Sequence, residues 1–279
     1  MRRQQEKETS LKQRHQQATG TKRQHSKIPG MQRPRIVAFL ALLIGLGIIF
    51  TVSPQLLEAK EVFDEGNSAY TTLRDQVVKD TTADTSADPG ALASGRSIDF
   101  EALQAINSDV VAWLYNPGTM IDYPVVKASE YNYYLYHLLD HSYNTYGTLF
   151  IDYNNAPDFS ESLTVIYGHH VATEMMFSSL MGYKNQAFYQ EHAHMYLYTE
   201  DAEYRVDLLY GCVISVGEWR ARAFMFSENL DELLAYAAMH STFASNISYR
   251  PGDRVVAMST CSFEFNDARY VVLGVLREV

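Results

Sequence analysis

The apolar residues of this 279-residue chain fall into three regimes. Ile36 to Val52, "IVAFLALLIGLGIIFTV", is unbroken by any charge. Residues 55–79 mix polar and apolar positions in a way that suits a helix. The stretch "KDTTADTSADPGALASGRS" then has no apolar period and reads as a linker. From Ile98 onward the pattern turns to short runs of alternating or continuous apolarity, separated by turn residues. "VVAWLY", "DYPVV", "GTLFIDY", "SLTVIYG", "HMYLYT", "EYRVDLLYGCVISV", "DRVVAMST" and "RYVVLGVL" predict eight strands. "DFEALQAINSD" predicts a short helix. "SENLDELLAYAAMH" predicts another, with Ser227 as its N-cap and Leu230, Leu233, Leu234 and Ala237 on one face. Eight short strands with few helices between them point to a mainly antiparallel barrel or sandwich decorated by helices.

Charge divides the chain more sharply than composition does. The first 35 residues carry ten Lys/Arg and two Asp/Glu, which leaves 13 basic and 31 acidic residues for the remainder. Between the two lies the uncharged run, which as a helix spans roughly 25 Å, the short end of what crosses a bilayer. A secretory signal peptide fits less well: the apolar core is long, the leader is extended, and "SPQLLEAKE" has no Ala-x-Ala site. Arg33 and Arg35 precede the run and Glu58, Glu61 and Asp64 follow it. By the positive-inside rule, residues 1–35 are then a cytoplasmic leader, 36–53 a transmembrane anchor and 54–279 external. Topology and lipid contact explain the basic leader without nucleic acid. Within the external part, 54–97 reads as stalk and flexible linker and 98–279 as the functional domain.

Two cysteines outside a membrane allow one disulfide. Their settings differ, however. Cys212 lies inside an apolar run, whereas Cys261 ends one and is bordered by Ser259, Thr260 and Ser262. This favours a structural Cys212 and a reactive Cys261. A cysteine nucleophile needs a base. His15 and His25 lie in the leader, His192, His194 and His240 in polar surface stretches, and His137 and His141 where a helix would pack or cap. There remains "LTVIYGHH", where Gly168 allows a tight strand exit before His169 and His170. Spacing alone leaves the choice between these two, or a surface pair, open. If "DRVVAMST" and "RYVVLGVL" are neighbouring antiparallel strands, the loop "SFEFNDA" brings Cys261 and Arg269 to one rim. A guanidinium there could lower the thiol pKa and stabilise an oxyanion; the alternative is ordinary pairing with Asp267 or Glu264. Asp152, Asp158 and Glu161 are too loosely spaced for a metal site and read as solvated loop charges. The abundant tyrosines, Tyr131, Tyr133, Tyr134 and Tyr136 among them, read as core and groove lining and not as a cofactor box.

With Cys261, His169 and Arg269 identified, the chain resembles a class B sortase. "TVIYGHHVATEMMFSSL" is similar to that family's strand-Tyr-Gly-His segment, "MSTCSFEFNDARYVVLGVL" to its Ser-Thr-Cys segment with downstream arginine, and "INSDVVAWLYNPGTMIDYPVV" to its first strands. The three follow the family's order over residues 99–279. The resemblance implies an eight-stranded sortase-like β-barrel with short helices, preceded by one N-terminal transmembrane helix, in the membrane of a Gram-positive-type bacterium with the catalytic domain facing the wall. It selects His169, directly after the glycine, and leaves His170 where the family usually has asparagine. It implies transpeptidation without a cofactor or metal: Cys261 attacks the carbonyl after a threonine in a C-terminal sorting signal, His169 moves the proton, and Arg269 holds the oxyanion. The acceptor would be a cell-wall crossbridge amine or a pilin lysine. Leu135, Ser259 and Thr260 map onto the peptide groove, together with the segment around 217–241. Tyr131 stands where the family commonly has asparagine, and Ser262 where it sometimes has an acid. The remaining alternatives are a cysteine hydrolase and a tethered barrel that binds wall peptides without turning them over.

Overall fold

The computed structural model describes residues 33–80, 95–127, 129–130, 132–171, 173–223 and 230–279. The basic leader up to residue 32, most of the linker, Tyr131 and Ser227 lie outside these. A helix, α1, runs over Arg33–Val77. It takes in the uncharged run, and the side chains of several positions there, including 46 and 48–50, are outside the described set. Among the described residues no helix is long and apolar enough to cross a membrane.

The chain divides into two compact units, residues 1–57 and 58–279. In the second, Tyr70, Leu73 and Val77 at the end of α1 belong to the main hydrophobic core. Just beyond them β1 (Val78–Asp80) pairs antiparallel with β2 (Arg96–Ile98). The segment read from sequence as stalk and linker therefore contributes both core and sheet. Tyr70, Leu73 and Val77 are spaced about one helical turn apart and so share the face that joins the core.

All eight predicted strands form: β3 (Val110–Tyr115), β4 (Asp122–Val126), β5 (Leu149–Ile151), β6 (Leu163–Tyr167), β7 (His194–Tyr198), β8 (Glu203–Ser215), β9 (Val255–Ser262) and β10 (Ala268–Glu278). They close into a barrel in the order β10-β8-β7-β3-β4-β5-β6-β9, with β9 returning to β10. Two neighbouring pairs, β4–β5 and β6–β9, are parallel and the rest antiparallel. Closure leaves no free edge, which settles barrel over sandwich. The short helix α2 (Phe100–Ile106) starts where the Asp99 carboxylate accepts from the Ala102 amide. Further on come α3 (Gln186–Glu191), α4 (Val216–Ala223) and α5 (Leu230–Met239). The predicted apolar stripe of α5 is buried at all four positions.

Side chains alternate along a strand, so β9 has two faces. Val256 and Met258 point into the main core with Tyr270 and Val272 of β10. Val255 and Ala257 belong instead to a second cluster, with Leu163 and Val165 of β6, Val271 and Leu273 of β10, and the α5 leucines. Ser259 and Cys261 continue this second face beyond α5.

Candidate active site

Three adjacent strands present the predicted chemistry on that face. The β9–β10 register sets Arg269 directly opposite Cys261, and Val271 opposite Ser259. On the other side of β9, the parallel partner β6 sets Tyr167 beside Ser259, and the Gly168 amide extends the ladder by donating to the Ser259 carbonyl at 3.2 Å. His169 follows two residues after Tyr167, on the same side. The sequence reading placed Cys261 and Arg269 at a rim. They lie on one continuous sheet face, whose lower part α5 covers and whose upper part borders a cavity of about 370 Å³. His169, Cys261, Arg269, Leu135, Ser259 and Thr260 all line that cavity. Thr260 nevertheless alternates to the opposite face, across from Tyr270.

Gly168 acts differently from the sequence expectation. Its backbone is not in the left-handed region. What demands glycine is close approach: a Cβ there would lie 2.4 Å from Leu149 Cδ2 and 2.7 Å from Phe177 Cδ2. The backbone leading into His169 is thus wedged between two fully buried side chains.

His169 is half-buried, and its Nε2 lies 2.7 Å from the Leu135 carbonyl oxygen. A carbonyl only accepts, so Nε2 carries the proton and a neutral ring keeps its acceptor at Nδ1. Burial pushes the imidazole below its ordinary value, only partly offset by that hydrogen bond. Leu135 therefore orients the His169 ring as well as lining the cavity. His170 points elsewhere: its Nδ1 is 3.1 Å from the Cys261 carbonyl oxygen, and its ring packs on the exposed Phe263.

Both cysteines are free. Cys212 is opposite Val271 on β10 and Cys261 opposite Arg269, so β10 lies between them. Two strand spacings, roughly 9–10 Å, exceed the reach of a disulfide at about 7 Å. Burial raises the Cys212 thiol to about 12 and leaves it inert. Cys261 is only half-buried and opens to the cavity.

The ordinary pairing considered for Arg269 does not occur. Its guanidinium donates to the Ala268 carbonyl at 3.1 Å, and Glu264 is engaged by Lys184 and Ser262. Burial would raise the Glu264 carboxyl, but these two donors outweigh it and bring it to about 2. The expectation for Asp152 needs correction: it is buried, not solvated. Its carboxylate accepts from the Tyr167 hydroxyl at 3.0 Å and from the backbone and side-chain nitrogens of Asn154. It fixes the Tyr167 phenol in the cavity wall from behind. Glu161 likewise accepts from Asn155 and the Ala156 amide.

The sequence reading indicated the region around 217–241 without naming the residues that matter. Trp219 and Arg220 of α4 line the cavity, as do Tyr136, Phe150 and Asn132. Trp219 is buried, and its indole nitrogen has no hydrogen-bond partner; the same holds for the hydroxyls of Ser259 and Thr260. The only signal in the sequence was that "GEWRARA" directly follows the longest predicted strand.

No protein-family model matches the chain. The sortase B of Listeria monocytogenes is 29% identical over 178 residues, which cover 62% of this chain and 72% of that protein. A Staphylococcus aureus sortase B–substrate complex matches with a TM-score of 0.60 and 26% identity, covering 65% of this chain and 85% of the other. A Streptococcus pyogenes class B sortase involved in pilus biogenesis matches with a TM-score of 0.58 and 28% identity over 64% of this chain and 97% of that one. With likeness in both sequence and barrel fold over about two thirds of its length, the chain is a homologue of the class B sortases.

Proposed function

We propose that this protein is a membrane-anchored cysteine transpeptidase in which Cys261 is the nucleophile, His169 the acid–base and Arg269 the oxyanion partner. The observation that carries the reading is that His169, just past the end of β6, Cys261 of β9 and Arg269 of β10 all line one cavity. Cys261 Sγ attacks the carbonyl carbon after a threonine of a C-terminal sorting signal. The thiol proton passes to His169, whose neutral ring can accept it, and then to the departing amine nitrogen. Arg269, free of carboxylate partners among the described residues, has its guanidinium available for the developing oxyanion. The product is a thioester, which an incoming amine resolves, returning its proton through His169. Relatives solved with a substrate and with triglycine support a peptide donor and an amine acceptor. The acceptor amine is that of a cell-wall crossbridge or a pilin lysine; one relative is a class B sortase involved in pilus biogenesis.

The anchoring part of the proposal rests on the uncharged run 36–52 within α1 and the positive charge before it. It keeps the leader in the cytoplasm and residues 54–279 outside. Protease added to intact cells should digest the outer part and spare the leader; digestion of the leader would overturn this orientation.

The catalytic reading is tested by incubating the chain with sorting-type peptides, with and without an amine acceptor. The expected result is ligated product that disappears in Cys261→Ala and falls about 10²–10⁴-fold in His169→Ala. Hydrolysis alone with every acceptor would replace transpeptidation by a cysteine hydrolase.

A further inference from the structure

The catalytic cavity is cationic in a domain that is not. Beyond residue 35 the chain has more than two acidic residues for every basic one. Even so, no Asp or Glu is among the described residues lining this cavity, whereas Arg269 and Arg220 both are. Elsewhere several arginines find carboxylates: Arg96 pairs with Asp80 and Asp122, Arg205 with Asp207, and Arg277 with Asp253, while Arg254 donates to the Phe159 carbonyl. Arg220 has no such partner among the described residues. Glu218 is two positions away on α4, and side chains at that spacing do not face each other on a helix. Its neighbour Trp219 lines the cavity with a buried indole that packs into the second core cluster.

We propose that Arg220 forms a carboxylate subsite in this cavity, so that the enzyme selects an acidic side chain in its donor peptide. The inference rests on the catalytic reading above and assigns Arg220 a specificity role distinct from that of Arg269. Chemically, the guanidinium supplies charge and a forked pair of donors. A glutamate or aspartate side chain accepts from both donors and pairs with the charge, whereas its amide isostere gains nothing from the charge. Arg220 is exposed, so the discrimination expected is about fivefold, the upper range for a solvent-accessible ion pair.

The test uses the full chain and peptides of sorting-signal pattern carrying Glu or Gln at each position in turn. Binding to Cys261→Ala is read from Trp219 emission, because Trp113 is fully buried in the barrel and a Trp219→Phe control identifies the signal. Thioester formation on Cys261 is read separately by mass spectrometry. At one position the Glu peptide should bind and acylate about fivefold better than Gln. Arg220→Gln should erase this difference, and Arg220→Glu should reverse it toward a Lys peptide. A parallel arm compares diglycine with its amide as acceptor; a preference confined to that arm would overturn the assignment to the donor peptide. Equal behaviour of every Glu/Gln pair, or a preference that survives Arg220→Gln, would also overturn it. Thioester without discrimination removes the subsite alone. Arg220-dependent binding without thioester removes the catalytic reading and leaves the subsite. Peptides that neither shift the emission nor acylate Cys261 remove both.

Discussion

Replacing Gly168 by alanine adds one methyl group at the point where β6 delivers His169. That methyl would stand 2.4 Å from Leu149 Cδ2 and 2.7–2.9 Å from the Phe177 ring. Neither neighbour is at a surface: both have no exposed area, so neither can swing into solvent. The strain must be taken up by off-rotamer side chains or by a shift of the backbone. Overpacking of this kind costs about 1–3 kcal/mol, and the alanine recovers only about 0.5–1 kcal/mol from reduced freedom of the unfolded chain. A net loss of about 1–2 kcal/mol corresponds to a fall in Tm of about 2–8 °C for a unit of this size. A backbone shift also disturbs the Gly168 amide bond to Ser259 and the His169 bond to Leu135, so acylation should slow by at least about tenfold. Gly217 in α4 is the internal control. Its added methyl meets only Ser215 Oγ at 3.9 Å, and in a helix alanine gains about 1 kcal/mol over glycine. Thermal scans of the two variants should therefore move in opposite directions. A Gly168→Ala protein with unchanged or higher Tm and normal acylation would refute the wedge argument.

Three further outcomes follow from the same geometry. Iodoacetamide on the native chain should alkylate Cys261 and leave Cys212 unmodified, because burial holds the Cys212 thiol near 12; peptide mapping reads both. Burial lowers the His169 pKa below 6.5, so as pH falls through about 6.5 the unfolded chain takes up a proton before the native state does, and native stability declines down to the folded pKa. His169→Asn should flatten that part of the denaturation free-energy profile. Tyr167→Phe removes a hydrogen bond to the buried Asp152 carboxylate and should cost about 1–3 kcal/mol in urea denaturation.

Much of this site could be read from sequence because each strand ends where its chemistry begins. Cys261 is the penultimate residue of β9 and Arg269 the second of β10, so apolar periodicity followed by a short polar loop located both. Nothing local could show that β6 runs parallel to β9 and carries His169 alongside, because parallel neighbours are brought together by the whole barrel and not by a hairpin. The resemblance, not the spacing, chose His169 over His170. The reason for the choice emerges only in three dimensions: one ring lines the cavity while the other binds a backbone carbonyl of Cys261. Asp152 was misread because a carboxylate between loop residues looks solvated until its hydrogen-bond donors are in place. Trp219 and Arg220 went unnamed because an eight-residue amphipathic helix reads the same whether it faces solvent or a cavity. The end of α1 was likewise taken as stalk, since Tyr70, Leu73 and Val77 show their purpose only against the barrel core.

The central claim is that Cys261 carries a substrate acyl group. Intact-protein mass spectrometry after brief exposure to a sorting-type peptide should show an adduct equal to the fragment ending at threonine. The adduct should map to Cys261, vanish on addition of an amine, and be matched by peptide–amine ligation product. An unmodified chain, or an adduct on any other residue, would contradict the account.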